Sequence, residues 1–201
     1  MTERRSRLKG SYGKPCDWML MQSGRKFWAA DPRPGDFDIY DIAAGLASAN
    51  RFAGQGRYRY SVAQHSVLCS RYVTDVFFDY SGSQIERQMR FDALMHDCSE
   101  AYVQDIARPA KQFLPGYYEM EELIMAAASE QFGLTHPLPP AVKQIDNVLL
   151  VTEARVLFDG STPWWLAPEW PEPLPLELVE PWLPEYAEAK FLEAYEELRT
   201  K

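Results

Sequence analysis

The run Ala93-Leu94-Met95-His96-Asp97-Cys98-Ser99-Glu100 places three groups able to bind a metal, or to work beside one, within one and a half helical turns. On a helix His96 and Glu100 are i,i+4 neighbours and Asp97 and Glu100 are i,i+3 neighbours, so all three can face one cavity. The flanking Phe91, Leu94, Met95 and Ala101 are apolar, so the segment reads as a packed helix. Charge on a packed helix needs a partner, because burying it alone is costly. A metal would be that partner. His65 lies upstream and Asp146 downstream, each within its own helical segment. Two imidazoles and two carboxylates form a mixed nitrogen and oxygen donor set. That set suits Mn, Fe, Co, Zn or Ni better than Ca, and leaves positions open for water and substrate.

The elements that must position these groups are read from periodicity and caps. Ser61-Val62-Ala63-Gln64 fits a capping box, with Ser61 as N-cap and Gln64 at the third helical position, so His65 sits one turn into a helix. Leu68, Cys69, Tyr72 and Val73 continue that helix at helical spacing. Ile85 to Val103 is predicted as one helix carrying His96, Asp97 and Glu100. Tyr117 to Phe132 is helical, with Leu123, Ile124, Ala127 and Ala128 inward and Gly133 ending it. Ala141 to Phe158 follows, with Ile145, Leu149, Val156 and Leu157 toward the core; Glu153 shares the face of Asp146. Asp36 to Asn50 is a shorter helix, with Ile42, Ala43 and Leu46 on one side, and Arg51 to Tyr60 is a loop. The tail Glu185 to Arg199 is a last amphipathic helix.

The expected fold is all-α: a single helical domain over 1–201, with its core at about 36–158. An irregular N-terminal arm covers 1–35, and a Pro/Trp-rich strap and helix cover 159–201. Trp18, Met19, Phe27 and Trp28 suggest an arm that packs on the body, and Trp164-Trp165 reads as packing. No strand ladder is evident. At 201 residues the chain holds one sizeable domain, and its 46% hydrophobic content supports a real core. A formal net charge of -8 argues against polymeric nucleic acid, whose backbone demands clustered Lys and Arg. It leaves room for a small nucleotide. Cys16, Cys69 and Cys98 are odd in number and lack C-x-x-C spacing, so a reduced, cytoplasmic setting is expected in place of a disulfide framework. No apolar run reaches the roughly 18 residues of a membrane span, and no signal peptide is evident.

The order H…HD…D resembles the HD-domain metal-dependent phosphohydrolases. Arg51 to Lys111 is most similar to the branch of bacterial 5'-deoxynucleotidases and small phage deoxynucleotide phosphohydrolases. The matching pieces are Arg51-Phe52, Tyr60-Ser61-Val62-Ala63-Gln64-His65-Ser66, His96-Asp97-Cys98-Ser99-Glu100, Asp105-Ile106-Ala107-Arg108-Pro109-Ala110-Lys111 and Ile145-Asp146. They span roughly Arg51 to Leu157, about half the chain. The resemblance implies an HD-type helical bundle in which His65, His96, Asp97 and Asp146 hold one divalent ion (Mn, Co, Fe, Zn, Ni or Mg). It also implies that Glu100 orients or deprotonates a water. Asp105 matches an acid near the 3'-hydroxyl or in proton transfer. Arg51, Phe52 and Lys111 match substrate-binding positions; Phe52 stands where relatives often carry tryptophan, and Lys111 could meet the phosphate as a point charge.

The expected activity is hydrolysis of small nucleotides, first of all removal of phosphate from deoxynucleoside monophosphates. The rivals are a triphosphohydrolase of deoxynucleoside triphosphates, hydrolysis of a guanosine polyphosphate alarmone, and a non-catalytic nucleotide-binding regulator on the same scaffold. Relatives in this branch are often dimers, and the strap permits a homodimer. No membrane partner is expected.

Overall fold

The computed structural model describes residues 18–77, 83–158 and 170–199. They are mostly helical, as the sequence predicts. In chain order the elements are a minimal antiparallel hairpin, β1 (Met19–Leu20) and β2 (Lys26–Phe27), then α1 (Ile39–Ser48), α2 (Val62–Phe77), α3 (Gln84–Met95), α4 (Glu100–Val103), α5 (Arg108–Lys111), α6 (Tyr117–Phe132), α7 (Pro140–Leu157) and α8 (Pro184–Leu198). Two 3-10 turns, Arg51–Gly54 and Leu176–Val179, lie between them. The Trp164-Trp165 pair and Cys16 lie outside the described residues.

Helix α2 is central. Ser61 to Ser70 are all buried, so the helix is enclosed on every side and packs against α1, α3, α7 and α8. Its start is capped as expected by the Ser61 hydroxyl, which accepts from Gln64 N at 3.1 Å. The reciprocal half of the capping box is absent. Gln64 Nε2 donates instead to Glu180 O at 2.6 Å, and Gln64 Oε1 accepts from Trp182 N at 2.8 Å. A tertiary contact has taken the side chain that local pairing would have used, and it fastens the C-terminal strap to the middle of the protein. Leu174 N adds a bond to Thr152 Oγ1 at 2.9 Å.

One core cluster joins α1, α2, α3, α6 and α8 around Ile42, Leu46, Leu94, Ile124 and Phe191, all at 0% exposure. A second lies between α2 and α7, around Leu68, Cys69, Val73, Ile145 and Leu149. On α6 Leu123 is only half-buried, and Met125 joins Ile124 and Ala128 in the interior. Gly133, at φ +73°, ends α6 in the left-handed region, its N–H bonding Ser129 O at 2.9 Å.

The arm is less irregular than the sequence suggests. Its hairpin is too short to show a period-2 pattern. Phe27 from β2 stacks on Tyr102 of α4 at 3.8 Å between centroids, with Phe37 edge-on to both. Asp41 of α1 accepts from Ser23 N at 2.8 Å and from Ser23 Oγ at 2.6 Å, which pins the hairpin to the body.

The predicted helix from Ile85 to Val103 divides. α3 stops at Met95, turns cover 96–99, and α4 resumes at Glu100. His96 and Ser99 keep helical dihedrals, but bonding tightens to the i−3 pattern, with Cys98 N on Met95 O and Glu100 N on Asp97 O. His96 Nδ1 meets Ala93 O at 2.8 Å, which gives that carbonyl a side-chain partner where the helix breaks.

Candidate metal centre and adjoining cavity

Four segments converge at the second core cluster: the turn after α1, α2, the α3–α4 junction, and α7. His65 is fully buried. Its Nδ1 lies 2.7 Å from Glu153 Oε1, so Nδ1–H donates to that carboxylate and Nε2 is left with its lone pair facing inward. A carboxylate behind an imidazole is the usual support of a metal-ligating histidine. His96 is fixed in the same sense: Nδ1 donates to Ala93 O, leaving Nε2 as a buried atom with no hydrogen bond, although Asp97 Oδ2 stands 3.1 Å away. Two imidazole acceptors aimed at one place, with only the weak thiol donor of Cys69 set against them at 3.4 Å from His65 Nε2, suit a cation.

His65, Cys69 and His96 form a group that could hold a metal ion, their ligand atoms all within 4.8 Å of one another. The carboxylates predicted to share the site are close to the same nitrogens. His65 Nε2 is 3.3 Å from Asp146 Oδ1 and 3.8 Å from Asp97 Oδ2. Asp146 turns its other oxygen to Lys143 Nζ at 2.5 Å. The structure therefore brings His65, His96, Asp97 and Asp146 together and adds Cys69, which helical spacing alone assigns to the core.

Arg51 enters the cluster from the 3-10 turn. Its Nε bonds Glu153 Oε2 at 3.1 Å, and its Nη atoms lie 3.9 Å from Asp97 and 3.8 Å from Asp146. Nη2 is buried without a hydrogen bond. The turn that delivers it is strained: Phe52 (φ +55°) and Ala53 (φ +52°) are consecutive left-handed residues without being glycine.

Electrostatics separate the acids into two groups. Burial alone would raise Asp97 and Asp146. For Asp97 the adjacent His96 outweighs that, for Asp146 the adjacent His65 does, and both carboxyls stay below the ordinary range. Glu100 goes the other way: burial, then Asp97 and Asp105, push it well above the ordinary range. Asp105 is likewise raised, by burial and by Asp97 against the opposing pull of Arg51. Burial lifts the Cys69 thiol to about 11.

A cavity of about 980 Å³ opens over this cluster, lined by Arg51, Phe52, Asp97, Glu100, Asp105 and Lys111 among others. Arg108, Tyr118, Lys143, Asn147, Phe158 and Trp170 add polar and aromatic groups to the lining. Phe52 meets Phe158 edge-to-face at 5.3 Å. Lys111 Nζ is shared between Glu121 at 2.9 Å and Glu100 at 3.5 Å. His65 and His96 lie beneath, outside the lining. The split helix alters the predicted i,i+4 relation of His96 and Glu100: Glu100 faces the cavity, whereas His96 is held below it.

Periodicity places Glu153 on the face of Asp146 and Cys69 among the core positions of α2, and neither spacing by itself marks a functional residue. The signal for Glu153 was its place on the Asp146 face of an apolar helix; full burial turns that acid into the anchor of both His65 and Arg51.

No family model matches the chain. The uncharacterized protein YfdR of Escherichia coli (strain K12) is 38% identical over 176 residues, covering 88% of this chain and 92% of that protein. An uncharacterized protein of Rhodobacter capsulatus is 37% identical over 142 residues, covering 69% of this chain and 70% of its own. No described helix is long and apolar enough to cross a membrane.

Proposed function

We propose that this chain, which belongs to the same family as those two bacterial proteins, is a metal-dependent phosphohydrolase of small nucleotides, with deoxynucleoside monophosphates as first-choice substrates. One observation carries the reading. A single cavity of nucleotide size has paired imidazoles and carboxylates at its base, a carboxyl of raised pKa beside them, and cations with aromatic rings on its lining. The ordered set His65, His96-Asp97 and Asp146 supports the HD-domain resemblance.

The residues fit a divalent ion, because His96 Nε2 is buried without a hydrogen bond and His65 Nε2 is freed by the bond from Nδ1 to Glu153. His65, His96, Asp97 and Asp146 would hold it. Bound there, the ion polarises phosphoryl oxygens and lowers the pKa of a water it binds.

The remaining work belongs to the chain. Glu100, raised in pKa, is suited to take the proton of the attacking water. The new P–O bond forms as the ester P–O bond breaks, and the departing 5'-oxygen needs a proton; Asp105, also raised, is placed on the cavity to hold one. Lys111 and the spare donor at Arg51 Nη2 meet the phosphate oxygens. Phe52, Phe158 and Trp170 offer faces and edges to the base.

The test is a panel of nucleoside and deoxynucleoside mono- and triphosphates given to metal-stripped protein resupplied with Mn, Co, Zn or Mg, with products separated. Metal-dependent release of phosphate from monophosphates, lost in Asp97→Ala, is expected. Triphosphate as product moves the reaction to triphosphohydrolysis. Absence of turnover with metal bound overturns both and favours a binding role. Glu100→Ala separates enzyme from regulator: it removes turnover and retains metal.

A further inference from the structure

We infer that the Cys69 sulfur is itself a ligand of the metal, so that the centre is thiophilic and selects ions such as Zn or Co over Mg. The inference deepens the metal-centre reading above and rests on it. Cys69 lies one helical turn after His65 on α2, so both side chains leave the same face. Its Sγ is 3.4 Å from His65 Nε2, the nitrogen left free by the bond from Nδ1 to Glu153. Nitrogen and sulfur donors sharing one tetrahedral ion, at about 2.0 and 2.3 Å, stand about 3.5 Å apart.

His96 Nε2 is the independent observation. It is buried, makes no hydrogen bond, and falls within the same 4.8 Å group as His65 Nε2 and Cys69 Sγ. The sulfur therefore shares its surroundings with two imidazole acceptors. The other described cysteine behaves differently: Cys98 Sγ is turned to Met125 Sδ at 3.5 Å, within the apolar core.

On coordination the thiol proton leaves to solvent and the sulfur enters as thiolate. One soft donor among imidazoles and carboxylates shifts preference away from Mg, which favours oxygen and water. Two donor sets then share His65 and His96: carboxylates on the cavity side, sulfur on the buried side.

The experiment is a cobalt titration of metal-stripped full-length protein under argon, followed by absorption, with bound cobalt measured separately. Wild type is expected to develop a near-ultraviolet thiolate-to-cobalt charge-transfer band that saturates at one ion per chain. Cys69→Ser and Cys69→Ala are expected to lose the band while still binding one cobalt, and Cys98→Ser to keep it. Competition by zinc is expected to remove the band, and excess magnesium to leave it. Should either Cys69 variant fold poorly, the wild-type spectrum and a Cys16→Ser/Cys98→Ser control, in which Cys69 is the sole thiol, still decide. Cobalt bound without the band overturns the sulfur ligand and leaves the phosphohydrolase reading standing. A band that survives in Cys69→Ser or Cys69→Ala overturns it as well. Failure of wild type to bind cobalt at all overturns the centre, and this inference with it.

Discussion

Two parts of the interior are both buried and differ in what fills them. Around α1 and α8 the buried side chains are Ile42, Leu46, Ala187 and Phe191, with Phe27 closing one side. Between α2 and α7 the burial extends to Arg51, His65 and Glu153, with Asp146 at the edge. The first region stabilises by removing apolar area from water, about 1.5–3 kcal/mol for a side chain of leucine size. The second works against itself: each ion loses several kcal/mol of hydration, and only its partners offset the loss. The apolar region is thus the foundation, and the charged wedge is a device the foundation must be stable enough to carry. Residues in the first should affect folding alone. Residues in the second should affect folding and metal together.

The sharpest way to break that contrast is Glu153→Ala. It leaves Arg51 and His65 facing each other without their shared carboxylate. The expected loss is about 3–5 kcal/mol of stability together with about 10- to 100-fold in metal affinity, read by denaturant melts and metal titration. A stable variant with unchanged affinity would show that the wedge is ordinary packing. Phe191→Ala, at 0% exposure in the apolar cluster, should cost about 3–5 kcal/mol and leave metal affinity per folded molecule unchanged. A change in affinity there would dissolve the distinction between the regions.

Gly45→Ala probes the seam between them. A Cβ at Gly45 would lie 2.9 Å from both Cβ and the carbonyl oxygen of Ala101, so α4 must shift. Overpacking of about 1–3 kcal/mol should exceed the helix propensity gained, about 1 kcal/mol. Because Glu100 precedes Ala101, turnover should fall further than stability, in a comparison of kcat with Tm. Ser61→Ala has the smallest expected effect, about 1 kcal/mol from the lost cap, with metal affinity nearly intact in the same titration.

The apolar region was largely legible in the sequence, because a repeat near 3.6 residues identifies a helix face wherever burial is uniform. Ile42, Ala43, Leu46, Ile124 and Ala128 are where their spacing puts them. The wedge was legible in its residue types and less so in its wiring. The break after Met95 leaves no trace in periodicity, since the backbone stays near helical dihedrals; a side-chain bond from His96 to Ala93 accompanies it. Local spacing predicts that Gln64 closes a capping box, and the strap, distant in sequence, has captured it. Cys69 keeps the spacing of a core residue because a thiol packs like a small hydrophobe; only its distance to His65 Nε2 distinguishes it. The hairpin of the arm was too short for any pattern.

The shared carboxylate of Glu153 also bears on how this chain can vary through descent. Arg51 and Glu153 are 102 positions apart, His65 and Glu153 are 88 apart, and each pair is a buried contact. Loss of Arg51 or of Glu153 alone strands a buried charge, and loss of His65 leaves a buried Glu153 oxygen without its donor, so single-step drift at these positions is costly. Among descendants of a common ancestor, positions 51, 65 and 153 should be kept as a block or replaced as a block, and should stand out as a covarying triplet even where the helices around them have exchanged most of their apolar residues.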